Sequence, residues 1–250
     1  MDVKKTIKEQ ARNNFSKAAP VYTGNASVQE EAAGILISMM PEEKANSVLD
    51  IGSGTGFLTE KVVEKLKAGE FTGVDFAEGM VRVCRQNWPQ HKFVCEDAEK
   101  FDPGRSFDAV VSNFTFQWLS DIPSAMRRFY GWVKEGGIFA FSTPVKGSLK
   151  ELKSISGSFH DFPEESELLK GLPGPEKLQI KEMTAWYETP IEAVRSIKNV
   201  GANYTAPETD GKKVTRAGLN DYQRLYKGRD GRYPVTYRVF FAVIRKGGAK

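Results

Sequence analysis

The chain is poor in the residues on which disulfide-rich and zinc-binding proteins depend. Its 250 residues include only two cysteines, Cys84 and Cys95, and only two histidines. That excludes a disulfide scaffold, and no spacing of these residues is typical of a zinc site. No apolar run approaches the ~18 residues that span a bilayer, and the first residues are polar rather than typical of a secretion signal. We therefore expect a cytoplasmic protein with no metal site and no membrane association.

Net charge is also small, but it is unevenly distributed. The chain has 36 Lys and Arg against 32 Asp and Glu, a net charge of +4. Residues 195–250 alone hold 13 basic and 4 acidic residues. Such an excess is typical either of a solvated basic surface or of a surface for an acidic partner, such as a nucleic acid, a membrane or an acidic protein. Composition leaves these alternatives open.

Helical segments occupy about the first forty residues, and in the middle of the chain, over residues 47–143, short apolar runs alternate with helical stretches. This alternation is typical of a parallel sheet whose strands are connected by helices. After Pro144 the pattern changes, and residues 147–180, with short helices and turns, predict an inserted lid. The predicted strands are 47–51, 71–75, 91–95, 107–112, 138–143, 182–188 and 235–245, and the predicted helices are 56–67, 78–87, 122–133, 190–199 and 219–226.

A glycine-rich loop follows the first predicted strand. It reads Asp50-Ile51-Gly52-Ser53-Gly54-Thr55-Gly56, and glycines at such a junction let a ligand approach the backbone closely. The spacing differs from the G-x-G-x-x-G of dinucleotide sites, and no Lys-Ser/Thr pair follows as in a phosphate-binding P-loop. Asp75 ends the next strand, where a carboxylate accepts hydrogen bonds from both ribose hydroxyls; its alternative role is to cap a helix.

Two further strand ends carry polar side chains. Asp97 follows the third strand, where it would reach an adenine amino group, and Asn113 and Phe114 follow the fourth. The carboxyl edge of an open α/β sheet is where such folds bind ligands. Together these strand ends resemble the class I S-adenosylmethionine-dependent methyltransferases.

That resemblance implies an α/β, Rossmann-like fold. Its sheet would be mostly parallel and seven-stranded, with an antiparallel last strand, an N-terminal helical cap and a lid insertion. We expect a single domain over residues 1–250. It would consist of the cap at 1–43, the cofactor-binding core at 44–146, the lid at 147–180 and the C-terminal strands with a substrate-side helix and loop at 181–250.

Stretches outside the cofactor loop narrow the resemblance further. They resemble the malonyl-acyl-carrier-protein O-methyltransferases of biotin synthesis over about residues 12–245. The motif Arg-Ser-x-Lys-x-x-Gly-Ala-Asn is much more specific than the glycine loop. The stretches that carry this resemblance are 15–22 continuing to Gln29, 110–118, 141–152, 195–203 and 231–237.

The family resemblance implies methylation of the free carboxylate of a malonyl group on acyl carrier protein, an acidic protein. A carboxylate has a pKa of about 4 and is already ionised, so no catalytic general base is expected. Cofactor-binding residues would be Gln29, Asp50, Gly52, Ser53, Gly54, Asp75, Phe76, Met80, Asp97, Ala98, Asn113 and Phe114. Substrate-binding residues would be Tyr22, Gln117, Trp118, Arg195 and Asn203, and the carrier-protein patch would be Lys198, Lys212, Lys213 and Arg216.

Simpler roles remain open for several of these residues. Arg195 is either a bidentate partner of the malonyl carboxylate or an exposed helix residue. Tyr22 and Trp118 either line the pocket or pack the cap and the core. For the whole chain, the alternatives are a methyltransferase for small dicarboxylates, a nucleic-acid binder and a nicotinamide-dependent oxidoreductase. The scattered basic residues and the glycine spacing disfavour the last two.

Overall fold

The computed structural model describes residues 3–153, 162–200, 215–228 and 230–247, apart from the side chains of residues 3–7 and 198. Their centre is a seven-stranded sheet in the order β3-β2-β1-β4-β5-β7-β6. The strands are β1 Ser47–Ile51, β2 Glu70–Asp75, β3 Lys92–Cys95, β4 Phe107–Asn113, β5 Val133–Pro144, β6 Lys177–Tyr187 and β7 Tyr233–Arg245. The helices are α1 Val3–Tyr22, α2 Ser27–Met39, α3 Thr59–Lys65, α4 Glu78–Asn87, α5 Ile122–Gly131, α6 Lys150–Lys153, α7 Glu165–Leu168, α8 Pro190–Asn199 and α9 Arg216–Tyr226.

The pairing of the strands confirms the predicted fold class. β1 pairs in parallel with β2 and β4, and the parallel pairing continues to β3 on one side and β5 on the other. The last strand, β7, runs antiparallel to both β5 and β6. The polar ends of β1 to β4 consequently meet at one edge of the sheet, where open α/β sheets bind ligands.

Apolar cores cover both faces of the sheet. On one face Val48 and Val111 pack with Leu36 of α2 and Val62 of α3. On the other face Leu49, Ile51 and Phe139 pack with Met126 and Phe129 of α5. Strands buried on both faces are apolar at successive positions, so they are recognisable in the sequence as continuous apolar runs. Within the described ranges, no helix combines the length and the apolar character needed to cross a bilayer.

Several element boundaries differ from the prediction. The helix predicted from Gly56 begins at Thr59, because Gly54 and Gly56 adopt φ of +54° and +94° and keep the chain in a turn. The helix predicted to reach Val133 ends at Gly131. β5 then begins at Val133, which pairs with Phe107 before the register shifts.

Towards the C-terminus, three further elements begin earlier than predicted, and the last of them, β7, begins at Tyr233. β6 begins at Lys177, inside the predicted lid, where its first residues are exposed and pair with β7. α9 begins at Arg216, where Thr215 caps it by accepting a hydrogen bond from the Gly218 N–H at 3.0 Å.

The described parts of the predicted lid pack on the body of the domain. Leu149 and Leu152 lie in one core cluster and Leu168 in the other. Glu151 is buried and accepts a hydrogen bond from the Thr236 N–H of β7 at 3.2 Å. A role for this segment as a lid stays a prediction.

The N-terminal cap contacts α4 most closely at a glycine, Gly79. α1 packs against α4, and a Cβ at Gly79 would collide with the backbone carbonyl of Ser16. Gly34 of α2 is exposed and has nothing near its missing Cβ. The backbones of α1 and α4 therefore approach closely at Gly79, and the absence of a side chain there allows the cap to pack on α4.

We expect Gly79→Ala to lower the free energy of unfolding by about 1–3 kcal/mol, because the backbone of α1 must move. The matched control Gly34→Ala should be neutral or stabilising by up to about 1 kcal/mol, since alanine favours the helix. Urea denaturation of both variants measures the difference. Equal stability of the two variants would contradict the proposed close approach.

Candidate cofactor and methyl-transfer site

A cleft of about 600 Å³, partly open to solvent, lies at the carboxyl ends of β1, β2 and β4. Its volume falls within the range of small-molecule sites. Nine of the predicted cofactor-binding residues line this cleft. Its lining residues are Lys8, Phe15, Tyr22, Gly52, Gly54, Val74, Asp75, Phe76, Met80, Asp97, Ala98, Asn113, Phe114, Thr115, Trp118 and Leu119.

The glycine loop forms the floor of the cleft. Gly52 has φ of +73°, a conformation that favours glycine, and its Cβ would collide with the Thr115 side chain. The Gly52 N–H donates to the Val74 carbonyl at 2.7 Å, and the Gly54 N–H donates to Asp75 Oδ2 at 2.9 Å. The loop is therefore tied to the end of β2, with open space above Gly54.

Asp75 is the carboxylate that faces this loop. It is buried, and its Oδ1 accepts a hydrogen bond from the Ala77 N–H at 2.8 Å. Burial raises the pKa of Asp75 to about 6, although the hydrogen bonds from Ala77 and Gly54 oppose the shift. The arrangement leaves an acceptor at the wall of the cleft, as binding of ribose hydroxyls requires.

Asp50 lies beneath the loop and has an unused acceptor. Its Oδ1 is buried and has no hydrogen-bond partner among the residues that the structure describes. Burial, and then the nearby Asp75 carboxylate, raise the pKa of Asp50 to about 8. A buried acceptor without a donor is costly. A cationic amino group bound in the cleft would supply both the donor and the opposite charge, so these residues fit an amino-acid-bearing cofactor.

The adenine end of the expected cofactor site includes Lys8, which was not among the predicted site residues. Lys8 of α1 lines the cleft, and its Nζ lies 2.6 Å from Asp97 Oδ1 and also pairs with Glu99. The contact joins residues far apart in the chain. No local pattern could have indicated it, because only the packing of α1 over the sheet edge creates it.

Aromatic side chains close the other side of the cleft. The ring of Phe15 lies 5.3 Å from Trp118, 6.0 Å from Phe76 and 6.4 Å from Tyr22, measured between centroids. Tyr22 is buried, and this burial together with Asp75 raises the pKa of its hydroxyl, which therefore stays protonated. Tyr22 and Trp118 thus lie in the cleft as expected, and their roles toward a substrate stay predictions.

The end of β4 is held in an unusual conformation. Phe114 has φ of +57°, in the left-handed region that bulky residues rarely adopt. Its N–H donates to the Ser142 carbonyl at 2.8 Å, and its own carbonyl accepts from Gln117 Nε2 at 2.9 Å. Gln117 is buried and also accepts from Thr143 Oγ1 at 3.0 Å. Gln117 is thus placed behind Phe114, outside the residues that line the cleft.

Most predicted cofactor residues come together in the cleft. Asp50 and Ser53 are buried under it, and the backbone carbonyl of Gln29 accepts a hydrogen bond from Asn113 Nδ2 at 2.9 Å. Lys8, Phe15, Val74, Thr115 and Leu119 also line it but were not predicted. The predicted cofactor-binding residues that line the cleft are Gly52, Gly54, Asp75, Phe76, Met80, Asp97, Ala98, Asn113 and Phe114.

Other predicted residues do not join them. Arg195 is exposed on α8 and is absent from the residues that line the cleft, so its simpler role as an exposed helix residue agrees with the structure. Arg216 is exposed at the start of α9, and Lys198 lies on α8 with its side chain outside the description. Asn203, Lys212 and Lys213 lie outside the described residues.

Comparisons with known proteins agree with this geometry. The family described as "Methyltransferase domain" matches residues 48–137. A malonyl-[acyl-carrier protein] O-methyltransferase from Salmonella typhimurium is 31% identical over 242 residues, covering 93% of this chain and 95% of the relative. A protein of the same name from Bacillus anthracis is 30% identical and covers 96% of this chain and 97% of its own.

A solved structure is similar in fold. The YcgJ protein from Bacillus subtilis superposes with a TM-score of 0.60 at 18% identity and covers 87% of this chain and 99% of its own. The similarity in sequence extends well beyond the glycine loop, over almost the whole length of both relatives. The chain therefore belongs to the malonyl-[acyl-carrier protein] O-methyltransferase family, as its sequence motifs predicted.

Proposed function

We propose that this chain transfers a methyl group from S-adenosylmethionine to the free carboxylate of a malonyl group on acyl carrier protein, at the start of biotin synthesis. The observation that carries the proposal is the near full-length similarity to a relative named for that substrate, at 31% identity. The cleft supports it, since a glycine loop and strand-end carboxylates lie where open α/β sheets bind ligands.

Three carboxylates of the cleft region suit the cofactor. Asp75 would accept the ribose hydroxyls, and Asp97 would face the adenine amino group beside Lys8. The Oδ1 of Asp50, which has no partner within the described part of the chain, would accept a hydrogen bond from the cationic amino group at the methionine end. Glycines at 52 and 54 let the cofactor lie directly on the backbone.

The acceptor needs little chemical help. When bound, S-adenosylmethionine supplies a methyl group activated by a positively charged sulfur. A carboxylate oxygen forms the bond to this methyl carbon while the electrons of the carbon–sulfur bond return to sulfur, and no proton moves. The chain therefore has to align the two groups and exclude water rather than provide a base.

We expect Asp75→Ala to raise the Kd for S-adenosylhomocysteine about 10–100-fold, because the ribose hydroxyls lose a charged acceptor. Asp102→Ala, which removes an exposed carboxylate from a loop outside the cleft, is the matched control. Titration calorimetry measures both values. Unchanged affinity in Asp75→Ala would exclude this role for the carboxylate.

The substrate is tested by offering S-adenosylmethionine with malonyl-acyl carrier protein and, separately, with free malonate and longer dicarboxylates. We expect mass spectrometry to detect the gain of one CH₂ unit on the carrier-bound malonyl group, with little methylation of the free acids. Preference for a free diacid would instead support the second reading of the sequence, a small-molecule carboxyl methyltransferase. An unmodified carrier protein after prolonged incubation would reject the proposal.

The basic carboxyl-terminal region is proposed to dock the carrier protein. Arg195 and Arg216 are exposed on α8 and α9, two helices that pack against each other. An acidic partner would be steered to such a region by long-range attraction, which increases the association rate more than the final affinity. Salt screens this attraction.

We expect added salt to raise the KM for malonyl-acyl carrier protein, while the KM for the small thioester malonyl-pantetheine changes little. Arg216→Glu should raise the KM for the carrier-bound substrate selectively. Its control, Lys44→Glu, reverses an exposed charge that precedes β1, at the opposite edge of the sheet from the cleft. The same salt response with both substrates would argue against electrostatic docking.

A further inference from the structure

Three charged side chains meet at the end of the cleft that is expected to hold the adenine. The Nζ of Lys8, on the N-terminal helix α1, lies 2.6 Å from Oδ1 of Asp97 and also pairs with Glu99. The side chains of Lys8, Asp97 and Glu99 are only 18%, 24% and 20% exposed. Among the described residues that line the cleft, Lys8 is the one basic residue. The packing of α1 therefore brings a single positive charge to this end of the cleft.

The two oxygens of the Asp97 carboxylate have different surroundings. Oδ1 accepts hydrogen bonds from Lys8 Nζ and, at 3.0 Å, from the Glu99 N–H. Oδ2 accepts no hydrogen bond from the residues that the structure describes. Asp97 lines the cleft, so Oδ2 is the oxygen that remains for a donor on a bound ligand. An ionised carboxylate can only accept hydrogen bonds, so this position suits a donor and no other group.

Glu99, by contrast, already has donors at both of its oxygens. Oε1 accepts from the Ser120 N–H at 2.9 Å, and Oε2 accepts from Ser120 Oγ at 3.0 Å and from Lys8. Burial opposes the ionised form of Glu99, but the hydrogen bond and charge of Lys8, with the hydrogen bonds from Ser120, hold its pKa below the usual range. Glu99 therefore stays ionised and holds the lysine in place beside Asp97.

The backbone of the loop that carries Asp97 and Glu99 is held separately, by Arg128 of α5. The guanidinium of Arg128 donates to the carbonyl of Glu99 at 2.6 Å and also to the carbonyl of Ala98. The backbone therefore has an anchor that is independent of Lys8. What the lysine fixes is the side chain of Asp97, and with it the direction of the remaining oxygen.

The position of Lys8 on α1 also links this end of the cleft to the other. Lys8, Phe15 and Tyr22 all line the cleft and follow one another at intervals of seven residues, so they lie along one face of the helix. At a rise of 1.5 Å per residue, the interval from Lys8 to Tyr22 spans about 21 Å. The same helix therefore contacts the expected adenine end and the aromatic end of the cleft.

We propose that Lys8 is a positioning residue that makes the cleft selective for a purine with an amino group at C6. It holds Asp97 through Oδ1, so that Oδ2 accepts a hydrogen bond from this amino group and rejects a base with a carbonyl oxygen in its place. The inference rests on the proposed function, which places adenine beside Asp97. It specifies how the N-terminal cap takes part in recognising the methyl donor.

The charges of this cluster explain why the lysine is needed. Asp97 and Glu99 carry like charges on one short loop and repel each other. Without Lys8, this repulsion and the solvation of Oδ1 by water favour other rotamers of Asp97, in which Oδ2 no longer faces the base. The 6-amino group of adenine donates a hydrogen bond, whereas the 6-carbonyl of hypoxanthine only accepts. A fixed carboxylate oxygen opposite that carbonyl leaves both acceptors without a donor, which is costly in a largely buried site.

The test measures, by calorimetry, the Kd for S-adenosylhomocysteine and for S-inosylhomocysteine, which has a carbonyl oxygen in place of the 6-amino group. We expect the wild type to bind the adenine compound at least about 30-fold more tightly. Lys8→Met should raise the Kd for S-adenosylhomocysteine about tenfold and change the Kd for S-inosylhomocysteine less than about twofold, because only the first ligand uses the fixed oxygen. The preference for the adenine compound should thus fall about five- to tenfold.

Lys17→Met is the matched control, since it removes an exposed lysine from the same helix. Its preference for the adenine compound should stay within about twofold of the wild type. A merely structural loss, in which α1 packs less well on the cleft, would weaken the binding of both compounds equally, because they share the ribose and the homocysteine. The ratio of the two Kd values therefore separates positioning of Asp97 from stability of the cap.

A double-mutant cycle tests whether Lys8 acts through Asp97. Asp97→Asn replaces a carboxylate that only accepts by an amide that both donates and accepts. Its preference for the adenine compound should therefore fall to about threefold or less. Adding Lys8→Met to Asp97→Asn should change the ratio of the two Kd values less than about twofold, because the effects of residues that act through one contact are not additive.

The outcomes separate this inference from the proposed function. An active wild type whose preference for the adenine compound survives in Lys8→Met would overturn the role of Lys8 alone. So would equal weakening of both compounds in that variant, or additive effects of Lys8→Met and Asp97→Asn. A wild type that binds neither compound and leaves malonyl-acyl carrier protein unmethylated would overturn the proposed function and this inference with it.

Discussion

The burial of two carboxylates on neighbouring strands is the constraint on which the site depends. Asp50 lies one residue before the end of β1, Asp75 ends β2, and the two strands pair in parallel. Burial and their mutual repulsion keep the pKa of Asp50 near 8. The glycine loop compensates in part, since the Gly54 N–H donates to Asp75. One oxygen of Asp50, below the open loop, has no hydrogen-bond partner among the residues that the structure describes, and a ligand with a cationic group would supply one.

The N-terminal cap covers part of this edge of the sheet and forms one wall of the cleft. Phe15 packs against Trp118, Lys8 pairs with Asp97, and the close approach at Gly79 seats α1 on α4. Alkyl transfer to an ionised oxygen gains from such cover, because water would otherwise solvate the nucleophile. Phe114, held at φ of +57°, lines the cleft, and its ring lies 5.8 Å from that of Tyr237.

The residues of the cleft that could be predicted are those fixed by local rules. Strand ends of a parallel sheet must meet at one edge, so Asp75, Asp97 and Asn113 were found from their positions after apolar runs. Lys8 gave no such signal, because its partner is far away in the chain. Arg195 is exposed and lies outside the lining of the cleft, so its role toward the substrate stays a prediction. In the structure, α8 buries Ala193, Ser196 and Ile197 and leaves Arg195 exposed.

By itself, the sequence determined the order of strands and helices, the glycine loop and the family, because apolar periodicity, turn chemistry and motif spacing are short-range properties of the chain. Tertiary structure alone decided which side chains share a space. It brought Lys8 to Asp97 and Glu99 and left Arg195 at the surface. Such meetings depend on how helices pack across the faces of the sheet, through contacts between residues that are distant in the chain, and no local pattern encodes those contacts.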